Sequence, residues 1–327
     1  MEKKREIGID VLKIIACIGV VLLHTIGFKA SKYNNLIYYL GTISVPIFFM
    51  ANGYFILNKE EITLKYLIKK ISRILFIVIS WNIIYSLIVF IFTGYIDNII
   101  IQIIKSTLQK GNIIWFWFFG TLIILYIFTP ILHKTLHNKK INKKFLIIMI
   151  SICEIIYIIN VCLGYKEYKI IRQVIPQTLR LWTWITYYYL GGYLKNNLKW
   201  KKKYGVILIG ISIFCIFYEM IISNNIIHDL FAENFYDNIF IMTWVTLLFS
   251  FIKNLSFKEK YRNLIINISS LTLGIYIIHE FIVKYISNFY DSKNGVYNIG
   301  VFIITLVMSY LISYIIKKIT YLNKLIT

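Results

Sequence analysis

The 327-residue chain is 58% hydrophobic, has three prolines and carries a formal net charge of +21. A mean hydropathy of +0.69 places it among polytopic membrane proteins and excludes an ordinary soluble domain. The charge is not a nucleic-acid footprint, because no basic stretch is interleaved with exposed aromatics as such binding requires.

In chain order, the apolar runs predict ten spans, each near the ~20 residues a bilayer needs. They fall at about residues 7–28, 36–57, 74–94, 113–132, 145–164, 179–195, 204–223, 236–256, 264–287 and 297–316. The sixth is the shortest and most aromatic. Loop charge orients the set: with the N-terminus inside, the inner loops hold 25 Lys and Arg and the outer loops 9. That is the positive-inside pattern, and it places both termini in the cytoplasm. The expected fold class is therefore an all-α polytopic membrane bundle of about ten transmembrane helices in the cell membrane. It is expected to form a single integral-membrane domain over residues 1–327, with no appended soluble domain and no evident internal repeat.

The first span follows a KKR cluster but lacks a small-x-small cleavage site, so it reads as a retained helix rather than a signal peptide. It contains Lys13 and His24. At about 100° per residue the two lie within roughly 20° of one face and about 16 Å apart along the axis. Asp10 sits one turn before Lys13 and is placed to neutralise it. An ionised group at the bilayer centre costs about 2.5–3.5 kcal/mol, so such residues read as functional. Taken singly, Lys13 snorkelling to the interface and an interfacial His24 are the plainer alternatives. Together the stripe points to a channel with a cationic inner end and a titratable imidazole deeper in.

Ahead of the third span, KKISRILF supplies Lys69, Lys70 and Arg73. Lys69 reads as an anchor. Arg73, one turn deeper, is placed to face a cavity, and Arg and Lys at a bundle mouth suit phosphate groups. The segment 95–112 has helical periodicity and is expected to lie on the outer surface as an amphipathic element. His133 and His137 have an i,i+4 spacing but no accompanying carboxylate, and they read as surface histidines. The four cysteines, Cys17, Cys153, Cys162 and Cys215, form no spacing motif and read as packing residues. No metal site is expected. Further polar groups sit inside later spans: Glu154, Arg180, Glu219 and the pair His279–Glu280. Arg180 needs a counter-charge, for which Glu154 is a candidate. His279 and Glu280 fall level with His24.

Together these motifs resemble the acyltransferase 3 family of membrane acyltransferases. Lys13 and His24 match its Arg/Lys-x10-His pattern, and SVPIFFMANGYFI (residues 44–56) is similar to its second-helix segment, with Asn52 where the family usually has Ser. Lys70–Arg73 is similar to its Arg-x-x-Arg, Trp117-Phe118, Tyr126 and Pro130 match its fourth-helix signature, and Tyr276 and His279 fall in its late Tyr-x-x-His. The resemblance implies transfer of an acyl group, usually acetyl, from cytoplasmic acyl-CoA to a hydroxyl of an extracytoplasmic or lipid-linked glycan. Lys13 and His24 are then the expected catalytic residues, and Lys13, Lys70 and Arg73 the donor site. Arg180, Tyr276, His279 and Glu280 are expected near the acceptor. Acetyl-CoA or another acyl-CoA is a co-substrate, no tightly bound cofactor is implied, and the partners are the donor, the glycan acceptor and membrane lipids. Two other readings remain open: a glycan transporter that does not acylate, and a non-catalytic sensor or partner-binding bundle.

Overall fold

The computed structural model describes residues 5–26, 32–197, 200, 203–286 and 295–326. The predicted loop charges at Lys3, Lys4, Lys29, Lys199, Lys201, Lys202 and Lys293 lie outside these residues. Among the described residues the chain is helical throughout, without a strand. In order the helices are α1 (Ile7–Thr25), α2 (Lys32–Tyr39), α3 (Ser44–Ile56), α4 (Leu64–Thr93), α5 (Ile99–Thr107), α6 (Trp117–His137) and α7 (Asn142–Tyr165). There follow α8 (Ile171–Val174), α9 (Leu181–Asn197), α10 (Tyr204–Ile222), α11 (Ile239–Lys253), α12 (Glu259–Ser269), α13 (Thr272–Ile286) and α14 (Gly295–Lys318).

Every predicted span coincides with a helix, but the spans are not ten equal crossings. Seven helical stretches are long and apolar enough to cross a bilayer, or eight when α12 and α13, bent by 49°, are taken as one broken span. The other two, α9 with 17 residues and α11 with 15, are too short to be counted on length. Their burial explains the shortfall. In α9, Trp184, Tyr187, Tyr188 and Tyr189 are fully buried, so the helix is solvated by protein rather than lipid. Hydropathy measures compatibility with lipid and is a poor gauge of such a helix. The outer shell shows the opposite pattern: only 17% of the apolar window in Tyr204–Ile227 is buried, against 67% in Asn35–Ile56.

At the centre, α1 packs against α3, α11, α12, α13 and α14, while α3 lies along α9. Two glycines set that second contact. A Cβ at Gly53 would overlap the Tyr188 carbonyl, and one at Gly191 would overlap the Met50 carbonyl. Small residues at such a crossing let backbones approach closely, which substitutes for the missing hydrophobic drive between helices in lipid. Phe49 then stacks on Trp184 at 4.5 Å between ring centroids, filling the space beside the crossing.

Several local features follow from short-range chemistry. The Thr63 hydroxyl accepts from the Tyr66 amide and starts α4 ten residues before the predicted span, which puts Lys69, Lys70 and Arg73 on a helix. Gly94, at φ +69°, ends it in the left-handed conformation that glycine adopts without strain. The amphipathic segment forms α5, but its polar residues Gln102 and Ser106 face inward, and the Asn82 amide donates to the Ser106 hydroxyl. It is part of the bundle wall rather than a surface element. All four cysteines are free, and Cys162 is exposed rather than packed.

Replacing Gly53 or Gly191 by Ala is expected to cost at least the ~1–3 kcal/mol typical of overpacking, because backbone rather than a flexible side chain would have to move. Thermal unfolding in detergent checks this. Gly205, which meets nothing nearby, is the control and should tolerate Ala.

Candidate active site

The polar stripe on α1 is partnered at both ends. Buried Asp10 accepts from Arg5 at 2.6 and 3.2 Å and from the Ser269 hydroxyl at 2.7 Å. Lys13 lies 3.6 Å from the same carboxylate, so it shares Asp10 with Arg5 rather than owning it. The Lys13 ammonium also sits 5.5 Å from the Phe55 ring centre.

Lys13 lines a cavity of about 560 Å³ between α1, α3, α4, α6 and the α12–α13 break. Lys70 and Arg73 from α4 line it too, so the structure brings the three expected donor-site cations into one space. Lys59, which sequence reading did not single out, is a fourth. Its ammonium lies 4.4 Å from the Tyr66 ring centre, and Lys70 approaches the same ring at 5.9 Å. The deeper wall is apolar (Phe48, Phe118, Leu122), with one polar feature: the Tyr126 hydroxyl donates to Asn52 Oδ1 at 3.1 Å. The Asn that replaces the family's Ser therefore holds a tyrosine in the cavity wall. A cationic mouth on a narrow apolar chamber suits a phosphorylated group carrying a slender tail.

Tyr276 closes the far wall and donates its hydroxyl to the Trp115 carbonyl. One turn further along α13 come His279 and Glu280. His24 Nδ1 meets Glu280 Oε1, and the His24 and His279 rings stand edge to face with centroids 5.0 Å apart. Tyr276 and His279 are also ring neighbours, at 5.9 Å, so one helix face links the cavity to the histidines. An ionised carboxylate only accepts, so the Glu280 contact puts a proton on His24 Nδ1 and leaves Nε2 with the lone pair. His24 keeps 36% of its side chain exposed, unlike the buried His279 beside it. An imidazole with a carboxylate on one ring nitrogen, and a cationic chamber nearby, has the parts that general-base chemistry uses.

Arg180 is not brought to this cavity. Its guanidinium is buried, donates to the Ile175 and Glu233 carbonyls at 3.2 and 3.3 Å, and faces the Glu233 carboxylate at 4.0 Å. Glu154, the candidate partner, does not meet Arg180. Glu154 accepts the Ile239 amide at 2.7 Å instead, serving the start of α11. Glu233 also holds Arg172 at 3.5 Å, so one carboxylate serves both arginines. Glu219 is fully buried elsewhere, accepting the Thr42 hydroxyl at 2.7 Å. Lys69 is absent from the cavity lining, in keeping with an anchor. Lys59, Tyr66 and Glu233 gave no signal in sequence, since each sits in or beside a loop without periodicity.

The acyltransferase domain model matches residues 6–318, and the chain belongs to the acyltransferase 3 family. Its curated relatives include two proteins of Enterococcus faecalis named amino-acid racemase. One is 29% identical over 175 residues, covering 51% of this chain and 23% of the relative. The other is 23% identical over 305 residues, covering 86% of this chain and 41% of the relative. The chain thus spans less than half the length of either. No solved structure matches it significantly.

In a background with the four native cysteines replaced, Asn52→Cys and Lys70→Cys are expected to react with a water-soluble maleimide, and Arg180→Cys is not. Labelling of Arg180→Cys as fast as the other two would place that arginine on the open cavity after all.

Proposed function

We propose that this chain is a membrane O-acyltransferase that takes an acyl group, in the first instance acetyl, from acyl-CoA and delivers it to a hydroxyl of a surface or lipid-linked polysaccharide. Family membership supports acyl transfer in general. The observation that carries the rest is a cavity lined by Lys13, Lys59, Lys70 and Arg73, whose wall residue Tyr276 stands one turn of α13 before the His24–Glu280 contact, itself just outside the lining. The positive-inside pattern turns the cationic mouth to the cytoplasm, where acyl-CoA is found, and the exposed imidazole towards the outer leaflet.

In this reading the lysines and Arg73 hold the donor phosphates, and the pantetheine arm runs between Phe48, Phe118 and Leu122. The acceptor hydroxyl oxygen attacks the thioester carbonyl while His24 Nε2 takes its proton. The C–S bond breaks, and the imidazolium returns the proton to the departing thiolate, leaving ester and free CoA thiol. Glu280 holds the ring in its reactive tautomer and balances the imidazolium. An acyl-imidazole on His24 is the covalent variant of the same chemistry. No nucleic acid or tightly bound cofactor enters the scheme.

The alternative is a glycan transporter, in which the cavity would pass a substrate without consuming thioester. Membranes given labelled acetyl-CoA separate the two. Acyl transfer predicts label in glycan, reduced by about 10²–10⁴ in His24→Gln. Substrate movement that survives His24→Gln, with label never reaching glycan, contradicts it. Lys59→Ala combined with Lys70→Ala is expected to raise the apparent KM for acyl-CoA by roughly tenfold or more, given ~1.5–3 kcal/mol per charged hydrogen bond. A change in acceptor preference instead would reject the donor-site assignment.

A further inference from the structure

Three metal-ligating side chains meet inside the bundle from opposite ends of the chain: His24 on α1, and His279 and Glu280 on α13. One ligand atom from each lies within 4.8 Å of the others. We propose that they form a binding site for a Zn²⁺-class divalent cation, and that a cation held there silences His24.

The geometry supports this in four ways. Bonds of about 2.0–2.2 Å to tetrahedral zinc put ligand atoms roughly 3.3 Å apart, so the set has to draw in by no more than about 1.5 Å. His279 is already prepared: its Nδ1 donates to the Ile275 carbonyl at 3.2 Å, which leaves Nε2 with the lone pair. That nitrogen is buried and has no hydrogen-bond partner among the described residues. A ring nitrogen tied to a carbonyl with its mate bare is the outer-partner arrangement of metal-binding histidines. Two imidazoles and one carboxylate also form the three-ligand set of zinc sites that keep a fourth position open, and nitrogen donors disfavour Mg²⁺ and Ca²⁺. Finally, the exposed edge of His24 provides a way in. Two further charges act near the cluster, Glu233 from the loop before α11 and Lys284 from α13 itself. Lys284 Nζ donates to the Asn112 carbonyl at 2.8 Å.

A neutral imidazole has one ring lone pair. Once His24 gives it to a metal, it cannot accept a proton, so a loaded site and general-base catalysis by His24 exclude each other. This silencing rests on the proposed acyl transfer; the binding does not.

The test uses the full chain, purified without a histidine tag, stripped with a chelator and titrated with ZnCl₂ by calorimetry. About one Zn²⁺ per chain is expected, weakened more than about tenfold by His279→Gln and by Glu280→Gln. His133→Gln with His137→Gln, the other histidine pair, should leave binding unchanged. Co²⁺ titrated into the wild type should give tetrahedral visible absorption that Zn²⁺ bleaches, a readout that needs no variant to fold. Absence of stoichiometric binding, or binding indifferent to both ligand substitutions, overturns the site. If acyl transfer is present, Zn²⁺ should suppress it and chelator restore it. Stoichiometric binding with transfer unslowed overturns the silencing alone, and absence of transfer in metal-free protein counts against the proposed function instead.

Discussion

A helix with a polar stripe can lie in an apolar bundle only if something answers each polar group, and α1 presents such a stripe from Asp10 to His24. A buried charge without a partner costs several kcal/mol, so the neighbours of α1 are constrained before any chemistry is considered. The broken pair α12–α13 meets that demand. Ser269, at the end of α12, donates to Asp10, while Glu280, more than two turns into α13, meets His24. A break with a 49° bend lies between them. It also leaves room beside Lys13, where Ser269, Ser270 and Thr272 line the cavity. Partnering of the stripe and opening of the chamber therefore have one structural origin.

The second element of the design is rigidity on the opposite wall. α3 carries Asn52 and Phe48 into the cavity, and it is held from behind by α9 through reciprocal glycine–carbonyl contacts at Gly53 and Gly191. The aromatic interior adjacent to that seam (Phe49, Trp184, Trp117) leaves α3 little freedom to slide. Cationic side chains on long stems, Lys59 and Lys70, are in turn ordered over Tyr66. Long-stemmed cations thus sit at the mouth and closely packed groups at the depth of the chamber. This suits a site that captures a charged group loosely and positions a small one closely.

Much of this was legible in sequence where the signal was local. The Lys13–His24 spacing fixed a shared face because helical geometry is regular, and Lys70 and Arg73 were recognisable because cations at a bundle mouth are costly elsewhere. Glu280 as the partner of His24, and Ser269 as that of Asp10, were not legible: each contact joins helices from opposite ends of the chain, and no local pattern encodes it. The partner of Arg180, for which Glu154 was one candidate, stayed open for the same reason. A buried guanidinium implies that a partner exists without saying which, and Glu233, in a loop, answers Arg180. The short helix α9 was faint because hydropathy reports lipid contact, whereas its tyrosines are packed against protein.

The central claim is that one chamber carries a thioester from fixed cations to a carboxylate-held imidazole. A structure of the chain with a non-hydrolysable thioether analogue of acetyl-CoA examines it most directly. The phosphates should lie against Lys59, Lys70 and Arg73, with the acyl carbonyl within hydrogen-bonding reach of His24. An analogue bound outside the chamber, or one whose acyl end points away from His24 while the phosphates are held, would contradict the account.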